Sequence, residues 1–317
     1  MVYYKFEIRN LSDMYNEVRQ DLSGVTTIYP FSSLKLLMIY SSFKKTRLIC
    51  IYNKNELIGY APLIFNTVKH VLSIPTIFLP IVTKDKNYSN IIQELIPFIR
   101  KKFFYAIIQS NYKDSHKEDS FKQFGQSYLI RDAFLTHVVD QEWVPNKRIR
   151  YYIRKAELNS YSVSTHISKE SIENFYMNCI LESRRRKNLY INVKDYANIY
   201  NFYKKLTEND LGKLIVLKDE SGSIVSGTFL IYDKNVCIYF HAGNSYQGLK
   251  TGAGYLTVNN AIKFARSRGV DFDLFGSYLY KGDNYQKLYQ FKKQWGKEYD
   301  ISQYIATNWF INKVRRN

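Results

Sequence analysis

VCIYFHAGNSYQGLKTGAGYLTVNNAIKFARSRGVDFDLFG, residues 236–276, is the stretch whose reading decides the fold. Val236–His241 is an apolar, β-rich run, Leu256–Ser267 carries apolar residues on one helical face, and Val270–Phe275 is again strand-like. Strand, glycine-bearing turn, helix and strand make one α/β unit. Within the turn, Thr251-Gly252-Ala253-Gly254-Tyr255 opens the helix. Glycine permits close backbone approach there, and the N–H groups at a helix start favour a phosphate or carboxylate. A simple structural turn is the plainer reading of the same residues.

Upstream, the plan continues. Ser168 caps a helix containing Ile172, Phe175, Tyr176 and Cys179, and Asp195–Glu208 reads as another helix. Leu214–Lys218 and Ile224–Tyr232 are strands around Asp219-Glu220-Ser221-Gly222. The first half has the same ingredients. Tyr3–Arg9 is a strand, Ser12 starts a helix to about Asp21, and Arg47–Tyr52 and Leu57–Phe65 form a hairpin across Asn53–Glu56. Tyr88–Lys101 is an amphipathic helix, Phe103–Gln109 a buried strand, and Asn111–Gln126 a polar surface segment. Laying Leu48–Tyr52 over Leu214–Lys218 brings Gly59 near Gly227, which points to an internal duplication. Two α/β lobes, residues 1–139 and 140–317, follow from this layout.

Composition bounds the function. A chain of 317 residues, 45% hydrophobic, with 29 Tyr and 20 Phe, builds a packed core. Its net charge of +18 favours an anionic partner such as phosphate, nucleic acid or an anionic lipid surface, with a basic solubility surface as the bland alternative. Three scattered cysteines and five histidines without metal-ligand spacing argue against a disulfide framework and a metal site. The start, MVYYKFEIRNLSD, lacks a signal-peptide core, and the longest apolar run, Val71–Thr83, holds Pro75 and Pro80. A cytoplasmic protein is expected.

Three short blocks then resemble one family. Tyr289-Gln290-Phe291-Lys292-Lys293-Gln294-Trp295-Gly296 looks like its "FK, x, x, x, G" block, Ala261–Ala265 through Asp273–Gly276 like the block before it, and Arg150–Ala156 like the block opening its second domain. The chain thereby resembles the FemABX-like peptidyltransferases and the BioF2-like acyltransferases of the GNAT superfamily. The resemblance implies an α/β protein of two tandem GNAT-like domains. It also implies transfer of an aminoacyl or acyl group onto an amine of a cell-envelope precursor, either a peptidoglycan peptide or an amino-sugar. Aminoacyl-tRNA or acyl-CoA would serve as donor co-substrate, with no tightly bound cofactor. An anionic acceptor such as a nucleotide-sugar, and tRNA, are the implied partners. Only 191–210 separate the RRRKNLY segment from the next strand, so the long helical hairpin of some relatives has no room. Gln247–Gly254 does not match the Arg/Gln-x-x-Gly-x-Gly/Ala turn of CoA-dependent members in register. Both donors therefore stay open.

Carried over residue by residue, the resemblance assigns Lys292 to the donor and the developing oxyanion, with Phe291 packed behind it. It assigns Arg186 and Tyr190 to the acceptor's phosphates. Lys147 and Arg150 are further phosphate candidates, Tyr239 is a substrate-binding one, and Gly252 and Gly254 would hold a donor phosphate. His241 or Asp273 could be the general base, against the alternatives of a structural histidine and a loop-capping aspartate. Lys147, Arg150, Arg186 and Lys292 are expected to share one positive concave surface. The alternatives from other classes are a non-catalytic basic nucleic-acid-binding protein and a GNAT-like scaffold.

Overall fold

A computed structural model describes residues 4–25, 27, 29–68, 72–79, 81–109, 129–186, 196–278 and 283–307. The chain divides into two compact units, Met1–Leu135 with Tyr299–Asn317, and Thr136–Glu298.

In the first unit, β1 (Tyr4–Asn10) leads through α1 (Leu11–Asp21) and α2 (Leu34–Ser41) to β2 (Thr46–Asn53) and β3 (Glu56–Val68). The expected hairpin is present, and Lys54 and Asn55 take positive φ at its two-residue turn. Then come β4 (Leu72–Phe78), β5 (Val82–Thr83), α3 (Tyr88–Lys102) and β6 (Tyr105–Gln109). The helical face foreseen on α3 is the one that packs: Ile91, Ile92, Leu95, Ile96 and Ile99 are all buried. The sheet runs β1-β2-β3-β4-β6-β14, where β14 is Lys297–Thr307. Every neighbour pair is antiparallel except β4 with β6. The surface segment read at Asn111–Gln126 lies outside the described residues.

The second unit takes the end of β7 (Leu129–Val139), from Thr136 on, and continues with α4 (Lys147–Glu157) and β8 (Ser162–Ser164). A long helical stretch follows as α5 (Lys169–Phe175), a π-helical segment Tyr176–Leu181, and α6 (Glu182–Arg186). Ser168 caps it in a capping box with Ser171. Next are α7 (Tyr196–Glu208), β9 (Gly212–Lys218), β10 (Ile224–Tyr232), β11 (Val236–Asn244), α8 (Tyr246–Thr251), α9 (Ala253–Ser267), β12 (Asp271–Asp273), β13 (Ser277–Tyr278) and α10 (Asp283–Lys292). Its sheet order is β8-β9-β10-β11-β12-β7, again antiparallel throughout except for β11 with β12.

The two orders are the same, strand for strand and direction for direction. Ile51 faces Gly59 in the first hairpin and Val216 faces Gly227 in the second, so the duplication legible in the sequence is a duplication of topology. The observed division differs from the expected one at 139/140 in two places, since residues 136–139 join the second unit and residues 299–317 the first. The sixth strand of the first sheet is the C-terminal β14, whose Gln303–Thr307 pair with Tyr105–Gln109 of β6, so the chain beyond Glu298 belongs to the first unit. The sixth strand of the second sheet is instead the preceding β7.

On one face of the second sheet, Leu217, Leu230, Cys237 and Phe272 pack against Ile149 and Ile153 of α4, Leu256 and Ile262 of α9, and Trp295. α7 buries Phe202, Tyr203 and Leu206, and the ring of Tyr203 stacks on Phe229 of β10 at 3.7 Å. Among the described residues, no helix is long and apolar enough to cross a membrane.

Candidate active site

One difference between the two sheets locates the site. In the first, the parallel ladder of β4 with β6 reaches the last residue of both strands, Phe78 opposite Gln109. In the second, β11 pairs with β12 only over Val236–Ile238 and then continues six residues further, to Asn244. β11 thus leaves its neighbour where Ile238 faces Asp273. A crevice beyond the carboxyl ends of parallel strands is where open α/β sheets bind ligands. The chain beyond β11 becomes the α8–α9 turn, and the chain beyond β12 the loop Leu274–Gly276.

Along the diverging part of β11 the register with β10 shifts: Leu230 faces Tyr239 but Phe229 faces His241, so Phe240 is a bulge residue. A bulge re-aims side chains. Tyr239 packs on Phe272 and the α4–α9 core, whereas Phe240 and His241 both meet α7. Tyr203 lies 2.6 Å from His241 Nδ1. Complete burial pushes the Tyr203 phenol well above its usual value, so it keeps its proton beside the ring. Burial also raises the Tyr239 phenol, which stays protonated.

Asp273 takes the loop-capping role. It is fully buried, and its Oδ1 accepts from the Thr136 hydroxyl at 2.5 Å and from the Phe275 amide at 2.8 Å. Phe275 has φ +56, a conformation that costs a bulky residue energy and persists only where its surroundings hold it. Lys292 holds it from the other side. Only 5% exposed, it donates from Nζ to the carbonyls of Phe275 (2.5 Å) and Gly276 (3.3 Å). Asp273 and Lys292, which come from two different blocks, therefore act on one loop, through its backbone.

His137, which no motif singled out, lies beside this loop. It is buried, its carbonyl accepts from the Leu274 amide, and its Nε2 is 3.1 Å from Glu298, which also accepts from the Tyr289 hydroxyl. Desolvation, with the nearby charges of Lys292 and Lys293, lowers the His137 pKa from 6.5 against the opposing pull of Glu298. The unfolded chain therefore binds the proton more readily. The stabilisation is complete above pH 6.5 and is lost as pH falls towards the lowered folded value. Urea unfolding of His137→Gln against the parent across pH 5–7 should show a shallower acid slope, by up to about 1.4 kcal/mol per pH unit. Equal slopes would remove the assignment.

The four basic residues expected on one surface are divided. Lys292 points inward. Arg186 donates at 2.7 Å to Glu182 and at 2.7 Å to the Asn244 carbonyl, tying α6 to the end of β11. Lys147 and Arg150 are exposed in the first turn of α4, where Arg150 bonds the Pro145 carbonyl. Tyr190 lies outside the described residues. The α8–α9 turn is packed by its own chain: a Cβ on Gly254 would lie 2.9 Å from Asn244 Oδ1, and one on Gly252 3.2 Å from the Tyr152 carbonyl. Both glycines serve that close packing.

A pocket of 720 Å³ opens instead between α4, α9 and α10, lined by Arg148, Lys287, Lys293, Tyr255, Phe291, Asn146 and three glutamines. Its basic residues are neighbours of the expected ones: Arg148 adjoins Lys147, and Lys293 adjoins Lys292. Phe291 lines it, edge-on to Tyr255 at 5.1 Å. Helical phase explains the exchange, because adjacent residues on a helix face different ways. Cys50, Cys179 and Cys237 are buried free thiols, and burial pushes the first two up to about 12, which disfavours a covalent acyl-enzyme on them. Among the described residues, no cluster of His, Cys, Asp and Glu is placed to hold a metal ion.

Residues 146–293 match the family model described as acetyltransferase (GNAT) domain. Among solved structures, FemX is 14% identical, with 95% of this chain and 98% of that chain covered and a TM-score of 0.65. A tandem GNAT protein from the clavulanic acid biosynthesis pathway is 8% identical, covers 96% and 98%, and has a TM-score of 0.57. L-PGS from Bacillus licheniformis is 15% identical, with 92% and 91% covered and a TM-score of 0.54. No curated protein sequence matches the chain. The fold is thus the tandem GNAT fold, as the motifs implied, and the likeness in fold to FemX covers 95% of the chain.

Proposed function

We propose that this chain, a GNAT-type acyltransferase, moves an aminoacyl or acyl group onto an amine of an anionic cell-envelope precursor, a peptidoglycan peptide or amino-sugar. The observation that carries the reading is the 720 Å³ pocket, lined within the GNAT-matched span except for Gln294, with three cations, two aromatic rings and no carboxylate in its lining. Cations beside rings suit a phosphorylated nucleotide or sugar, through charge-assisted hydrogen bonds and stacking. Lys292 and Asp273 hold the backbone of the loop after β12. Aminoacyl-tRNA and acyl-CoA remain the two donor classes.

The test incubates the purified protein with acyl-CoA or charged tRNA and a UDP-linked muropeptide or amino-sugar, and reads acceptor mass. A gain equal to one acyl or aminoacyl group is expected with one donor class. Lys293→Ala should raise the acceptor KM by roughly tenfold, the scale of one charge-assisted contact, with little change in kcat. An acceptor that gains no mass with either donor, while the protein retains its thermal transition, would remove the reading.

A further inference from the structure

The outer face of α4 has a pattern that acyl transfer does not use. Ile149, Ile153 and Ala156 anchor the helix in the core, so its opposite face is turned to solvent. On that face stand two apolar residues, Tyr151 (62% exposed) and Leu158 just past the helix end (86%). At about 100° per residue, Leu158 lies almost in line with Tyr151, while Lys147, Arg154 and Lys155 fall within about 60° on either side. α8 extends the pattern. Tyr246 (60%) and Leu249 (52%) are exposed, Lys250 sits 4.3 Å over the Tyr246 ring, and Lys155 Nζ bonds the Lys250 carbonyl at 3.0 Å, joining the two helices.

Exposed apolar side chains flanked by cations fit an interface where headgroup phosphates lie above hydrocarbon. The apolar tips enter the acyl boundary, and the long basic stems reach back to the phosphates. We infer that the α4–α8 face docks on an anionic lipid bilayer as a peripheral surface. The aliphatic residues decide this occupant over RNA: a phosphate backbone rewards the cations, and bases reward the aromatic rings, but neither rewards exposing Leu158 and Leu249. The acidic turn Asp219–Glu220, which shares a small pocket with Leu158, marks the edge of the surface. Docking does not depend on the acyl donor or the acceptor.

Sedimentation with vesicles of pure phosphatidylcholine and of a phosphatidylcholine–phosphatidylglycerol mixture tests the inference. The full chain is expected to sediment with the mixed vesicles and to stay in solution with the neutral ones. Arg154→Gln with Lys250→Gln should weaken binding roughly fivefold per residue, and Leu158→Ser with Leu249→Ser by about tenfold or more. All four positions are exposed, so thermal transitions should not move, and transfer to a soluble acceptor should be unchanged. That separates failure here from failure of the transferase reading. Equal sedimentation with both vesicle types, or leucine variants that bind as the parent does, would overturn the inference. So would a tRNA mixture that binds the leucine variants as tightly as the parent while neither vesicle type binds.

Discussion

Lys292→Ala is expected to lower transfer by about two orders of magnitude and, unlike an exposed lysine substitution, to lower stability by about 1–3 kcal/mol. Its ammonium is buried and donates to two backbone carbonyls of a loop in which Phe275 has positive φ. Alanine removes the donor from both and releases the strained turn beside the candidate site. Lys292→Met keeps the stem and removes only the charge, so it should lose nearly as much activity while opening less of a cavity. Lys293→Ala, one residue on, is the contrast: an exposed pocket cation whose loss moves KM and leaves the urea midpoint in place. Activity and midpoint both at parental values in Lys292→Met would show that the ammonium neither pins the loop nor assists the reaction.

Gly296→Ala is expected to be the most damaging single substitution, at about 4 kcal/mol or more, lowering the thermal midpoint on the order of 10 °C. Two effects add. The residue has φ +66, which costs an L side chain roughly 1 kcal/mol, and a Cβ would lie 2.1 Å from the Val138 carbonyl oxygen. No rotamer relieves contact with backbone. β7 would have to move, and with it the pairing of Val138 with Asp273. Gly269→Ala separates the effects, because Gly269 has φ +68 with nothing within 4 Å of the added carbon. It should cost only about 1 kcal/mol. Equal unfolding midpoints for the two variants would show that the close approach is not what the glycine serves.

Periodicity and short motifs carried the architecture a long way. Alternation, helical faces and turn residues are local, so the two hairpins, α3, α7 and α9 could be read from the chain, and the Gly59–Gly227 correspondence marked the duplication. The blocks ending in Gly296 and Gly276 marked the unit that carries the GNAT domain. Direction and depth were not legible. Whether Lys292 or Lys293 faces inward depends on the phase of α10 against the loop after β12, and spacing along the sequence leaves that phase open. His137 meets Glu298 across 161 positions, and the bulge at Phe240 exists only relative to β10. By itself, then, the sequence determined the tandem α/β plan and the segments that carry the chemistry, because those rest on local pattern. Which lysine is buried, which cations line the pocket, where β11 leaves β12 and which unit takes the C-terminal strand were decided only by tertiary structure, because each depends on contacts between segments far apart in the chain.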